Sequence, residues 1–130
     1  MEERQRLDLA VKAAVDTKAE NVLVFDMDQR SSITDYVVIC SGRSQGHVRG
    51  IAENIENAMR EAGLRYSSME GYQEGSWVLM DFDIFLVHIF HPETRQYYDL
   101  ESLLANYPKE VIDSGDGEIA GSGETAAGLV

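Results

Sequence analysis

Apolar residues recur along this chain with two distinct periods, and together the periods predict alternating helices and strands. Steps of three and four residues predict an amphipathic helix from about residue 3 to 18, with its stripe at Leu7, Ala10, Val11, Ala14 and Val15. A second helix follows Ser44, whose hydroxyl can cap it, and Gly63 is its natural stop. Its stripe is formed by Val48, Ile51, Ala52, Ile55 and Met59.

Short apolar runs predict the strands, at Asn21 to Phe25, Asp35 to Cys40, Trp77 to Phe82 and Ile84 to Phe90. Asp28 to Thr34 is a polar turn, and a short strand followed by a loop is expected between Arg65 and Ser76. The run from Ile84 to Phe90 is interrupted only by His88. A strand this apolar needs cover on both faces, as in the middle of an α/β sheet.

A last helix is expected from Pro92 onward, carrying Tyr98, Leu100, Leu103 and Leu104. The order helix, two strands, helix, two or three strands, helix predicts a single small α/β domain with a mixed sheet flanked by helices, over residues 1 to 112. The last 18 positions hold five glycines and four acidic residues, with no basic or aromatic residue. We therefore expect residues 113 to 130 to be a disordered acidic, glycine-rich tail.

The charge of the chain bears on its partners. The net charge is −12, with 23 acidic against 11 basic residues, and this opposes direct attachment to a nucleic-acid backbone. A basic protein partner is favoured, although the alternative that the acidic residues merely keep the protein in solution stays open.

The lone Cys40 sits in an apolar run and is interpreted as a core residue rather than a reactive thiol. No membrane segment or targeting signal is evident, so we expect a cytoplasmic protein.

Signals for enzymatic chemistry are weak. The turn Ser41-Gly42-Arg43-Ser44 could cradle a phosphate, but it matches neither a Walker loop nor a dinucleotide fingerprint and is typical of a turn into a capped helix. Two carboxylate pairs, Asp26/Asp28 and Asp81/Asp83, could share Mg²⁺, or could simply end strands in turns. A metal-dependent nucleotidyltransferase using Asp81/Asp83 is the alternative function. We expect no enzyme activity, no metal and no cofactor.

Contact chemistry is the stronger signal. Trp77, Tyr97, Tyr98 and Arg95 belong to residue types enriched at binding hot spots, and acidic residues lie nearby in the sequence. The alternative is that Trp77 and one tyrosine pack into the core while the charges form a solvated face. Residues 77 to 101 are in either case the segment in which a contact surface is expected.

Three segments carry a family resemblance: DYVVICSGRSQGHVRGIAENI, EGYQEGSWVLMDFDIFLVHIF and RQYYDLESLL. In order and spacing they resemble the ribosomal silencing factor family, also called Iojap-like or DUF143, over roughly residues 3 to 108. The most specific positions are Thr34-Asp35-Tyr36, Glu70-Gly71, Trp77, Asp81, Val87-His88, Arg95 and Tyr98-Asp99-Leu100-Glu101.

The resemblance implies a fold related to a minimal nucleotidyltransferase, without the catalytic carboxylates of that superfamily. It also implies a non-enzymatic factor that binds the large ribosomal subunit at its fourteenth protein, L14. The factor would block association with the small subunit and repress translation under nutrient limitation. Ribosomal proteins are mostly basic, which agrees with the acidity of the chain.

Carried onto this sequence, the partner-binding surface of the family falls on Trp77, Asp81, His88, Phe90, Arg95, Tyr98, Asp99 and Glu101. The chain departs from the family pattern at Asp83-Ile84, where Gly-Asp is common, and at Leu103-Leu104, where Leu-Trp is common. An exposed edge strand with aromatic residues could also support a homodimer.

Overall fold

The computed structural model describes residues 1–28, 30–31 and 33–112. The elements in chain order are α1 (Glu3–Asp16), β1 (Glu20–Asp26), β2 (Tyr36–Ser41), α2 (Gln45–Glu61), β3 (Ser68–Glu70), β4 (Trp77–Asp81), β5 (Phe85–Phe90), α3 (Pro92–Tyr98), α4 (Leu100–Leu103) and β6 (Lys109–Val111). The expected tail from residue 113 to 130 lies outside the described residues.

The strands of the described part form one mixed sheet in the order β3-β4-β5-β2-β1-β6. β2 and β5 are parallel, with Tyr36 opposite Phe85 and Ser41 opposite Phe90. The other neighbours in the sheet are antiparallel. A parallel pair needs a long crossover, which α2, β3 and β4 supply between β2 and β5. The expected small α/β domain with a mixed sheet and flanking helices is confirmed.

One face of the sheet is covered by α1 and α2, whose apolar stripes pack on alternate strand residues. The buried members of this helix-side core include Leu7, Ala14, Val38, Cys40, Ile51, Ile55, Val78, Met80, Val87 and Ile89. Asn54 ties the two helices together, because its Nδ2 donates to Ala13 O at 2.9 Å and to Thr17 Oγ1 at 2.8 Å. Burial raises the pKa of the Cys40 thiol to about 12, so the interpretation of Cys40 as a core residue is confirmed.

The ends of α2 agree with the sequence signals. The Oγ of Ser44 accepts a hydrogen bond from the His47 backbone N–H at 3.0 Å, which caps the first turn. Gly63 follows the helix with a φ of 80°, a left-handed conformation that glycine adopts at little cost. The expected cap and stop are both confirmed.

The prediction of a single last helix after Pro92 is wrong, since the chain forms two short helices there. Asp99 separates α3 from α4 with φ 48° and ψ 51°, a left-handed conformation. An aspartate tolerates this region because its side chain bonds locally, and here it accepts from the hydroxyl of Ser102. Beyond the break, Leu100 and Leu104 pack against a second core cluster on the other face of the sheet, formed by Phe25, Met27, Val37, Ile39 and Phe90.

The expected element order also lacks the edge strand β6. β6 pairs with β1, placing Lys109 opposite Phe25 and Val111 opposite Leu23. Its three residues are all exposed, so no alternation of apolar and polar positions marks it in the sequence. An ion pair from Arg4 on α1 to Glu110, at 2.7 Å, helps to hold this edge in place.

Candidate functional site

Trp77 and Phe90 lie on the face of the sheet that α1 and α2 do not cover. Trp77 opens β4 and is directly opposite Phe90 at the end of β5, while the next pair on this face is Leu79 and His88. The intervening residues of β4 are buried in the helix-side core. Because side chains alternate along a strand, the two pairs share the second face.

Five ring-bearing residues on this face form what we call the aromatic cluster: Trp77, His88, Phe90, Tyr97 and Tyr98. The Trp77 ring stacks on Phe90 with a centroid distance of 4.8 Å and lies 4.9 Å from the Tyr98 ring. Tyr97 meets Tyr98 edge to face at 5.0 Å. Phe90 is fully buried and Trp77 half-buried, whereas Tyr98 and Tyr97 are 55% and 81% exposed. The cluster therefore runs from the core out to solvent.

A hydrogen bond between two side chains links Trp77 to His88. The indole Nε1–H of Trp77 donates to Nδ1 of His88 at 3.0 Å. Only 8% of His88 is exposed, and this burial lowers the pKa of the imidazole from 6.5 to about 4. His88 is therefore neutral near pH 7, which leaves Nδ1 free to accept the bond.

Arg95 holds the segment next to the cluster together. Its guanidinium pairs with the Glu101 carboxylate and donates from a terminal nitrogen to Ser41 Oγ at 2.8 Å. The Arg95 side chain is 12% exposed and that of Glu101 31% exposed. Asp99 lies between them in the chain, at the break between the helices. α3, α4 and the end of β2 are thus fixed relative to one another.

The structure brings the expected contact residues into two adjoining groups and leaves one apart. Trp77, His88, Phe90 and Tyr98 share the aromatic cluster, while Arg95, Asp99 and Glu101 form the neighbouring polar group. Asp81 lies at the far end of β4, on the same face as Trp77 and opposite Leu86. Phe90 has no exposed surface and supports Trp77 from beneath.

Two apolar residues on this face are absent from the set expected from the sequence. Leu79 lies between Trp77 and Asp81 on β4, and Leu86 is opposite Asp81 on β5; both are half-buried. The alternation within WVLMD places Leu79 on the face of Trp77, and this signal could have identified it. Tyr97 is also absent from that set, although it is a residue type enriched at binding hot spots and is more exposed than Tyr98.

The two carboxylate pairs turn out to form the same local turn. Asp26 Oδ1 accepts from the backbone N–H of Asp28 at 2.7 Å, and Asp81 Oδ1 accepts from that of Asp83 at 2.8 Å. Asp28 and Asp83 have φ values of 55° and 73°. The interpretation as strand-end turn residues is confirmed. Asp83 thus has a left-handed conformation, which a glycine would adopt at little cost.

The turn before α2 also forms its hydrogen bonds with other parts of the fold. The Gly42 N–H donates to Phe90 O at 2.9 Å, and the Arg43 N–H to His47 Nδ1 at 2.9 Å. These bonds and the Ser44 cap confirm the interpretation as a turn into a capped helix.

Among residues 1–28, 30–31 and 33–112, no three His, Cys, Asp or Glu side chains gather to hold a metal ion. No helix in the described chain has the length and apolarity to span a membrane.

Fold and site together define a class, namely a small α/β protein with a partly exposed aromatic cluster on one face of its mixed sheet. The profile of a family described as "Ribosomal silencing factor during starvation" matches residues 1–127. The chain belongs to this family. The match reaches further toward the C-terminus than the stretch from 3 to 108 that carries the resemblance.

Similar proteins agree with this assignment. A ribosomal silencing factor from Bacillus subtilis is 38% identical over 115 residues, which span 88% of this chain and 98% of that protein. A crystal structure of a protein from Chromobacterium violaceum superposes with a TM-score of 0.79 at 27% identity, covering 89% of this chain and 98% of that one. A mouse protein named "Mitochondrial assembly of ribosomal large subunit protein 1" is 29% identical over 75% of this chain and 44% of its own length.

Proposed function

We propose that this protein binds the large ribosomal subunit at its fourteenth protein, L14, and blocks association with the small subunit. Translation would thereby be repressed in the cytoplasm under nutrient limitation. The protein would act by binding alone, without an enzymatic step. The observation that carries the proposal is the aromatic cluster, because it presents two exposed tyrosines beside a half-buried tryptophan in a chain of the silencing factor family.

The geometry of the cluster suits a protein partner. Trp77 is backed by Phe90, so its ring already has a defined position before binding. Tyr98 packs on Trp77 and exposes more than half of its surface. Large rigid side chains of this kind lose little conformational entropy on binding and often supply most of the affinity of an interface.

Charge supports a basic partner. The chain carries a net charge of −12, Asp99 lies in the polar group next to the cluster, and Asp81 adds a carboxylate at the far end of β4. Complementary charge mainly accelerates the encounter of two proteins, so association should slow as salt is raised. Ribosomal proteins, which are mostly basic, have the matching charge.

The size of the protein is sufficient for a steric mechanism. A standard interface buries roughly 800 Å² on each partner, which the exposed side of a small domain can supply. Once bound, the remainder of the domain occupies space that the small subunit needs. The printed name of the mouse relative concerns assembly of a ribosomal large subunit, and this supports the choice of the large subunit.

Co-sedimentation of purified large subunits with variants tests the proposed surface. Tyr98→Ala should weaken binding about tenfold or more, the loss expected of an interface anchor. Tyr66→Ala is the matched control, because Tyr66 packs edge to face on Phe82 at the helix-side core. Equal affinity of both variants, each folded by its thermal melt, would place the contact surface elsewhere.

A further inference from the structure

Trp77 is held from several sides. Phe90 stacks on one side of its ring, Tyr98 packs on the ring as well, and His88 accepts a hydrogen bond from the indole N–H. The first two contacts limit how far the ring can tilt, but they are apolar and carry no directional bond. The hydrogen bond at 3.0 Å sets which edge of the indole points toward β5.

The hydrogen bond constrains the chemistry of both partners. An indole nitrogen is a donor only, so a half-buried Trp77 needs an acceptor on this side. Nδ1 of a neutral histidine is such an acceptor when the ring proton is on Nε2. The resulting tautomer is dictated by Trp77, and no other side chain is bonded to this Nδ1 in the described chain.

Burial decides how His88 can contribute to a contact. At 8% exposure it offers almost no area to a partner, in contrast to Tyr98 at 55%. From this contrast and the bond to Trp77, we infer that His88 is a positioning residue, whose Nδ1 fixes the indole of Trp77 in the orientation presented to the partner. The inference rests on the proposed function. It assigns His88 a role through Trp77, where the family resemblance implies direct contact.

A double-mutant cycle on large-subunit binding separates the two roles. His88→Leu removes the acceptor, and Trp77→Phe removes the donor while keeping an aromatic ring. His88→Leu should weaken binding about threefold to tenfold in the wild-type background, the typical value of one hydrogen bond. In the Trp77→Phe background the same change should have almost no effect, because the bond is already absent. An equal loss in both backgrounds would overturn the inference, since it would indicate direct contact.

Rescue by a conservative change gives a second test. His88→Asn places Oδ1 on Cγ, the same atom that carries Nδ1 in histidine, and so restores an acceptor near the original position. Its affinity should be at least half that of wild type if the acceptor is what matters. An Asn variant that is folded and binds as weakly as His88→Leu would count against the inference.

Nuclear magnetic resonance on the free protein decides the positioning step without any ribosome. Nδ1 of His88 should show the ¹⁵N shift of an unprotonated ring nitrogen at pH 7, and the indole N–H of Trp77, the only tryptophan, should be protected from exchange. His88→Leu should abolish that protection and His88→Asn should retain it. A protonated Nδ1 would overturn the inference. If wild type fails to bind large subunits while these signatures hold, the proposed function fails and the positioning of Trp77 stands.

Discussion

Acidification below pH 6.5 is expected to destabilise the folded protein through His88. The imidazole is buried and neutral in the native state, with a pKa lowered to about 4, whereas in the unfolded chain it titrates near 6.5. Between these two values the unfolded chain binds more protons than the native one. Linkage then requires the free energy of unfolding to fall as the pH falls.

The size of the effect follows from the two pKa values. A change from 6.5 to about 4 is worth about 3 kcal/mol in full, at about 1.36 kcal/mol for each pH unit. Summed over the titration, roughly 1 to 2 kcal/mol is lost by about pH 5.5 and roughly 2 to 3 kcal/mol by about pH 4.5, while above pH 7 the contribution is fully present. In the folded protein His88 is protonated only near pH 4, so the acceptor of the Trp77 bond is lost there, and a change in the tryptophan fluorescence of the folded state should appear near that pH rather than at about pH 5.5.

Urea unfolding followed by circular dichroism measures this directly. Carboxylates and the other histidines also titrate in this range, so the relevant quantity is the difference between wild type and His88→Asn at each pH. Wild type should lose roughly 2 to 3 kcal/mol relative to the variant between about pH 7.5 and 4.5. A difference that stays constant across this range would refute the account of His88 as a buried neutral acceptor.

Three further predictions concern other parts of the molecule. Gly71→Ala should destabilise the fold by about 3 kcal/mol in thermal melts, because φ is 82° and a Cβ would lie 2.0 Å from Trp77 O; an unchanged melting temperature would contradict that turn geometry. Glu101→Ala should lower the free energy of unfolding in urea by about 2 kcal/mol, because the mostly buried Arg95 loses its carboxylate partner. The double variant with Arg95→Ala should be destabilised by less than the sum of the two single variants, and strictly additive losses would argue against the ion pair. Truncation before Asp113 should leave melting temperature and large-subunit affinity nearly unchanged, and a shortened protein that no longer binds would show that contacts extend beyond residues 77 to 101.

The elements with strong periodic patterns were predictable from the sequence. α2 has a clean apolar stripe, a Ser44 cap and a glycine stop, and each signal reports a local physical cause that the structure retains. The apolar run ending at Phe90 predicted a strand in the middle of the sheet with both faces covered, and β5 does lie between β2 and β4, with every residue except the half-buried Leu86 buried. Local signals succeed where one physical cause dominates the conformation.

The features that the sequence did not reveal depend on distant contacts. The break at Asp99 is stabilised by burial of Leu100 and Leu104 against the sheet, and this packing leaves no trace in helical periodicity. β6 is held by pairing with β1 and by the Arg4 bridge, so its own residues need not be apolar. An edge strand whose residues are all exposed cannot be predicted from the pattern of apolar and polar positions.

The candidate site was predictable in composition but not in geometry. The residue types of Trp77, Tyr98 and Arg95 indicated a contact surface, and the family resemblance added Phe90 and His88 to it. Only the structure shows that Phe90 is fully buried and that His88 accepts a bond from Trp77. Strand register determines both facts, because Phe90 and Trp77 are paired across β4 and β5.

Subunit joining in vitro tests the central claim most directly. Purified large and small subunits would be mixed at low salt with an equimolar amount of the full chain, and the fraction of joined ribosomes read from a sucrose gradient. The proposed function predicts that this fraction falls and that the protein migrates with the large subunit. An unchanged fraction of joined ribosomes, with the protein left at the top of the gradient, would contradict it.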